Sequence, residues 1–314
     1  MRMNQAQIRM GADPILTNVV QEFKPNKFNL GDALFPSVPV KSNTGKIRVF
    51  GTEAFQIVET KRAAGAIYKV VNASYSSTQF QLVSHGLSTK IAFENKEEGQ
   101  AVGVDVVAPH LINLSMKMKM SAEKDKADLA GTLANYPTAN KITLSGTSQF
   151  SDYTNSDPRA VVEALVAAIE DATGEEVTVM GMSKPVFRIL KKHPDIIAAA
   201  KAIGVGEKTI TTADLSEFFG IPRIVVSTAR FQDANTGVWS YFWGDDIYLA
   251  AVPEKGQSKE YMSFAYTYQH ANYPVVLKKY WDETTDSMVW KSKDNLAPVI
   301  VSSASGALIK DAIA

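Results

Sequence analysis

Between about residues 155 and 255, helical and strand-like apolar patterns alternate, whereas the segments on both sides read mainly as β. That order leaves few arrangements. A continuous α/β stretch can close on itself, while flanking strands that cannot bury a face alone must find each other across it. The expectation is an α+β chain of two units. One comes from the unbroken middle, the other from segments before and after it.

The middle carries its own boundary signals. Asp157-Pro158 offers an N-cap followed by proline in the first turn, and Gly174 closes the helix. Val161, Leu165, Ala168, Ile169 and Ala172 form its apolar stripe. A short buried strand follows at 177–181, and Ser183 is read as the cap of a second helix carrying Val186, Phe187 and Leu190. His193-Pro194 interrupts that helix before Ile196 resumes it. Thr212 is read as the cap of a helix over 214–219 that ends at Gly220, with strands at 223–227, 238–243 and 247–252. Beyond the middle, strands are expected at 262–268, 275–281, 288–291 and 298–302.

The first 45 residues are punctuated by Pro14, Pro25, Pro36 and Pro39, yet they carry Ile15, Leu16, Val19, Val20, Phe23, Phe28, Leu30, Leu34 and Phe35. So many hydrophobes do not suit a solvated tail, and the prolines favour an extended path. An extended arm that buries its apolar side chains on another surface is expected. From 46 to 92 the pattern is β: Lys46-Ile47-Arg48-Val49 and Gln79-Phe80-Gln81-Leu82 alternate with period two. Between them lies the polar, small tip Glu59-Thr60-Lys61-Arg62-Ala63-Ala64-Gly65, which suggests a long two-stranded excursion. A helix is expected at about 108–131, from Pro109 to Gly131, with Ile112, Met116, Met120 and Ala127 on its apolar side. The alternation of Met116-Lys117-Met118-Lys119-Met120 leaves a strand open there.

Several function classes lack support. Lys and Arg total 33, as do Asp and Glu, so there is no basic excess of the kind a dedicated nucleic-acid binder shows. Without cysteine there are no disulfides, thiolate metal sites or thiol nucleophiles. Residues 1–10 lack the apolar core of a secretory signal, and no run approaches the ~18 apolar residues of a membrane span. Gly204-Val205-Gly206-Glu207-Lys208-Thr209 is close to a phosphate loop, but Glu207 separates the glycine from the lysine. Gly181-Met182-Ser183 lacks the second glycine of a nucleophile elbow. The four histidines, His85, His110, His193 and His270, share no ligand or triad spacing. Asp245-Asp246 and Glu175-Glu176 read as turn chemistry, and the aromatic group Tyr266, Tyr268, Tyr273, Tyr280 and Trp281 as core and interface. The sequons at Asn72 and Asn113 mean nothing without a secretory signal. No enzymatic activity, metal or cofactor is expected.

Asn140-Lys141-Ile142-Thr143-Leu144-Ser145-Gly146-Thr147 and Phe150-Ser151-Asp152 begin a series of short segments. Asp157-Pro158, Val179-Met180-Gly181 and Val186-Phe187-x-x-Leu190-x-x-His193-Pro194-x-Ile196 continue it. Phe218-Phe219-Gly220, Trp243-Gly244-Asp245 and Ala251-Val252-Pro253 complete it. In this order and spacing the chain resembles tailed-bacteriophage major capsid proteins of the Hong Kong 97-type fold. The resemblance implies an N-terminal arm at 1–45 and an E-loop with its stem at 46–92. It further implies a peripheral domain with a spine helix at 93–149, an α/β axial domain at 150–255, and strands returning to the peripheral domain at 256–314.

The function so implied is self-assembly into pentamers and hexamers of an icosahedral head. That head would enclose double-stranded DNA without reading its sequence and would involve no membrane. The virion is the implied location, with assembly in the host bacterial cytoplasm. A separate scaffolding protein, a portal and a decoration protein are the further implied partners. Candidate interface residues are Glu59, Thr60, Lys61 and Arg62 at the excursion tip, Phe28 and Phe35 in the arm, and Asp233 and Asn235. Some relatives form Lys–Asn crosslinks. Lys61 and Lys69 lie in the excursion, but no acceptor Asn or promoting Glu matches by motif. An encapsulin-like nanocompartment shell and a hydrolase assembled only on folding are the rival readings.

Overall fold

A computed structural model describes residues 11–314 except 24, 26–27, 51–56, 58, 66, 69–74, 103–104, 203–209 and 254–262. Residues 1–10, Lys69, the Asn72 sequon, the loop at 204–209 and the expected strand start at 262 therefore lie outside the described residues.

The described residues begin with helices α1 (Pro14–Glu22) and α2 (Asn29–Leu34) and strand β1 (Ser37–Val40). Strands β2 (Thr44–Phe50), β3 (Tyr75–Gln81) and β4 (Val83–Ala92) precede α3 (Phe93–Val102), α4 (Val107–Ala130) and β5 (Lys141–Thr143). The middle holds α5 (Pro158–Thr173), β6 (Val179–Ser183), α6 (Lys184–Leu190), α7 (Pro194–Ala202), α8 (Thr212–Phe219) and β7 (Arg223–Ser227). Strands β8 (Arg230–Gln232), β9 (Trp239–Tyr241), β10 (Ile247–Ala250), β11 (Ala265–His270), β12 (Val275–Asp282), β13 (Ser287–Ile300) and β14 (Gly306–Lys310) complete it.

Two five-stranded sheets organise these elements. In the first, β13 is the hub. Its first part lies between β4 and β12, and its last part pairs with β11, which in turn pairs in parallel with β1. Alternation along β13 points Met288 and Trp290 at α1 and α4, where they join Val20, Ile91, Leu111, Leu114 and Val276. Ala297 and Val299 point the other way, toward Ile47, Phe80 and Leu82 of the β2–β3 stem. There Phe80 stacks on Tyr268 with ring centroids 4.6 Å apart.

The second sheet runs β5-β14-β10-β6-β7. One face, with Met180, Met182, Ile247, Leu249, Ala307 and Ile309, packs under α5 to α8. The opposite face, with Val179, Tyr248, Ala250 and Leu308, receives α2 and the C-terminal end of α4.

The boundary signals of the middle act as the residue chemistry demands. Asp157 accepts a hydrogen bond from the Ala160 N–H (3.0 Å), and Gly174 takes the left-handed conformation (φ 69°) that ends α5. At α8 the cap is Thr211 rather than Thr212, in a reciprocal capping box with Asp214. Ser183 holds the N-cap position of α6, but its hydroxyl makes no cap bond.

Other expectations change more. The first 45 residues are not an extended arm over 11–40. Asp13 caps α1 through the N–H groups of Ile15 and Leu16, and α1, α2 and β1 all pack on the same chain. Leu30, Leu34 and Phe35 are fully buried there, so the apolar residues between the prolines found partners within the subunit. Helix α4 starts at Val107, which puts Pro109 in the third helical position, and Gly131 ends it with right-handed backbone (φ −76°). Its buried side runs through Leu111, Leu114, Ser115, Glu123, Lys126, Ala127 and Ala130, rotated from the expected methionine stripe. The strands expected at 288–291 and 298–302 are one strand, β13. Pro298 lies beyond the last residue paired with β4, the edge setting that a proline tolerates. Finally, β14 enters the second sheet between β5 and β10, so the C-terminal segment does not return wholly to the first sheet.

Candidate assembly surfaces

Folding does bring one serine, histidine and carboxylate together. Ser156 Oγ lies 3.1 Å from His193 Nε2, and His193 Nδ1 lies 3.5 Å from Asp195. The protons run the wrong way for nucleophilic catalysis. Ser156 Oγ donates to the Asp152 carbonyl (2.6 Å), so across the 3.1 Å contact Nε2 must be the donor. Nδ1 is then left as acceptor, facing the Asp195 N–H at 3.4 Å. A triad needs the other tautomer, with Nδ1–H on the carboxylate and Nε2 free to take the serine proton. His193 is also fully buried, with the Tyr153 ring edge-on at 5.7 Å. The group ties the entry of α5 to the α6–α7 turn.

The remaining candidates are engaged separately. His110 Nδ1 contacts the Val106 carbonyl (2.8 Å), and His270 Nδ1 accepts from the Asn272 N–H (3.2 Å). Asp246 accepts from Lys310 Nζ (2.7 Å), Tyr248 and the Asp311 N–H, while burial and the Asp246 charge raise the Asp245 carboxyl above the usual range. Among the described residues no three of His, Asp and Glu are grouped as a metal would require. The hydroxyl of buried Ser183 has no hydrogen-bond partner among them.

Large apolar side chains are exposed at several places, the excursion tip and the β8–β9 hairpin among them. At the excursion tip Glu59, Thr60, Lys61 and Arg62 all face solvent, and the Arg62 guanidinium lies 4.0 Å from the Tyr68 ring centroid. Ile67 beside it is 94% exposed, and Ile57 is fully exposed. Asp233 and Asn235 sit at the tip of the β8–β9 hairpin. The N–H groups of Thr236 and Asn235 donate to Asp233, which holds its carboxyl below the usual range. In the hairpin register Arg230 faces Tyr241 and Gln232 faces Trp239, so these four share one outward face. Arg230 lies over both rings, and Trp239 is 56% exposed. Trp, Tyr and Arg are the residues most enriched in interface hot spots.

Phe28 and Phe35 do not belong to this exposed set. Phe28 meets Phe242 edge-on at 6.2 Å and Phe35 meets Phe264 at 6.0 Å, both inside the core under the second sheet. Their rings are consumed within the subunit, which removes them as candidate interface side chains. Sequence reasoning missed Trp239, which lies just beyond the turn at 233–237, and it missed Glu123. Glu123 lies on the buried side of α4 and accepts from both the Gly31 N–H (3.1 Å) and Trp243 Nε1 (2.8 Å). A charged residue defaults to a solvated face in any periodicity count, so no local signal marked it.

No protein-family model matches the chain. A major capsid protein of Burkholderia phage BcepMu is 31% identical over 303 residues, 95% of each chain. The crystal structure of a phage-related protein from Bordetella bronchiseptica RB50 is similar with a TM-score of 0.77 and 30% identity, covering 96% of this chain and 97% of that one. The SrpI encapsulin of Synechococcus elongatus PCC 7942 is similar with a TM-score of 0.52 over 99% of this chain and 96% of that one. Its 11% identity makes that a likeness of fold alone. Sequence identity therefore follows the phage protein and does not favour the encapsulin-like reading. With that identity sustained almost from end to end, the chain belongs to the major capsid proteins of bacteriophages.

Proposed function

We propose that this subunit closes into pentamers and hexamers and that these build the icosahedral head around double-stranded DNA. The observation that carries the reading is the 31% identity to a phage major capsid protein over 95% of both chains. The surface supports it: Ile57, Ile67 and Tyr68 are exposed between the two strands of a stem anchored by Phe80 on Tyr268. Exposed hydrophobes at such a density mark surfaces that become covered by a partner. A second copy is the partner, and head-to-tail contacts between copies close into rings. Many modest contacts acting together then stabilise a shell far beyond any single interface.

On this reading the tip residues Glu59, Thr60, Lys61 and Arg62 and the outward face of the β8–β9 hairpin meet neighbouring subunits. Assembly proceeds in the host cytoplasm, with a separate scaffolding protein and a portal setting size and start point. The subunit's role is structural rather than catalytic. Negative-stain microscopy and mass measurement of the chain, expressed alone and with a scaffolding protein, test this directly. Rings or closed shells are expected; a monomer that persists under both conditions would sink the proposal.

A further inference from the structure

The second sheet has two lateral edges, and they carry different surfaces. At one edge α5 lies along β14 and the turns that lead into β5 and β14. At the other edge β7 runs on into the β8–β9 hairpin. Phe242, just after that hairpin, packs on Phe28 at the start of α2, and α2 contacts β6 and β7.

The hairpin edge is cationic and aromatic. The Arg230 guanidinium lies 5.7 Å from the Trp239 ring centroid and 4.9 Å from that of Tyr241. Two rings hold it in place, and its N–H donors have no carboxylate among the described residues. Asp233, the one acidic residue of 228–242, is already engaged by the Asn235 and Thr236 N–H groups. Val238 and Trp239 are 59% and 56% exposed.

The α5 edge is acidic. From residue 160 to 183 there is no lysine or arginine, while Glu170, Asp171, Glu175 and Glu176 are all exposed. The ion pair of α5 is Arg159 with Glu163, two turns away from them. These carboxylates gather at the C-terminal end of the helix, where its dipole disfavours negative charge. Local stability therefore does not account for them. Ala164 and Ala167 are exposed on the same side as Asp171, so a partner can approach the helix closely.

We propose that these edges are the two halves of one contact: the Arg230–Trp239–Tyr241 platform of one subunit docks on the acidic end of α5 in a second copy, and repetition of that contact closes the ring. The pairing rests on the ring-forming reading above. A head-to-tail ring needs two different, complementary surfaces on opposite sides of one subunit, and charge selects this pair. Trp239 supplies the apolar anchor, and Glu170 and Asp171 supply the counter-charge to Arg230.

The test uses two full-length variants, Arg230→Glu and the pair Glu170→Lys with Asp171→Lys. Each is expected to raise the subunit concentration at which rings form by about 30-fold or more, with circular dichroism of the free subunit unchanged. Lysines at the end of α5 suit its dipole, so the second variant does not fail by unfolding. Within either variant like charges meet, but each variant's platform fits the other's α5. Mixing the two should therefore restore rings in strict alternation. Native mass spectrometry should find six-membered rings and no five-membered ones, since an odd ring cannot alternate. Either variant assembling like the wild type overturns the pairing. So does a mixture that stays unassembled, or one that forms pentamers as readily as hexamers. A wild-type chain that forms no rings refutes the assembly reading, and this pairing with it.

Discussion

Leu30 and Gly181 offer a sharp test of where the N-terminal segment sits. Leu30 is fully buried, and its Cδ1 occupies the place a Cβ would take at Gly181, 2.2 Å away. Leu30→Ala should cost about 3–4 kcal/mol, the transfer of the lost methyls plus the cavity they leave. Gly181→Ala should cost about 2 kcal/mol, because its methyl drives into the leucine on a strand that is buried throughout. In the double variant the new methyl enters the vacated space, so the strain disappears and part of the cavity fills. The pair should then cost about 3 kcal/mol in total, leaving a coupling of about 2–3 kcal/mol. Urea unfolding of unassembled subunits, followed by tryptophan fluorescence, would measure each corner of the cycle. Additivity within about 0.5 kcal/mol would mean that Leu30 does not seat on Gly181 of its own chain. If the coupling appeared only in assembled particles, the segment would belong on a neighbour instead.

Gly306→Ala places a Cβ 2.3 Å from the ring of buried Phe264 and should destabilise by about 2 kcal/mol, with Phe264→Leu in the same chain recovering much of it in thermal melts. Asp157→Ala removes the α5 cap and should cost about 1 kcal/mol in denaturant titration, whereas no change would show that the Ala160 bond is worth nothing. Paired Lys61→Glu and Arg62→Glu changes lie on exposed residues and should leave subunit stability within about 0.5 kcal/mol while abolishing particles in sedimentation. Particles of normal yield would remove the tip from the interface. Ser156→Ala should lower stability by about 1–3 kcal/mol, since buried His193 Nε2 loses its partner, and a variant as stable as the parent would contradict the tautomer deduced above.

The middle of the chain was readable because its signals are local. Asp157, Pro158, Gly174 and Gly220 act within a turn of where they stand, and the structure uses each as its chemistry requires. The β2–β3 excursion was readable for the same reason, since its period-two alternation meets a single partner strand. What was not readable depends on distant partners. Phe28 and Phe35 look alike whether they pack on their own core or on a neighbour; only Phe242 and Phe264, more than two hundred residues away, decide the matter. The face of α4 was misjudged because Glu123 and Lys126 occupy its buried side, held by Trp243, Gly31 and Asp32. At the surface, the exposed tip was legible as polar and small, but the Arg230 platform required the hairpin register to be seen.

The position of β14 sets a timetable for synthesis. Strands β5 and β10 have no bond to each other in the second sheet; both wait for Gly306–Lys310, which joins partners as distant in the chain as Lys141 and Leu308. A nascent chain that has emerged only through β13 therefore has every helix of the middle but a sheet open at its centre. The edge of β10, from Ile247 to Ala250, then lacks the strand that pairs with it. Released chains cut short before residue 306 should be cut by protease within β6 and β10, and chains that include β14 should resist.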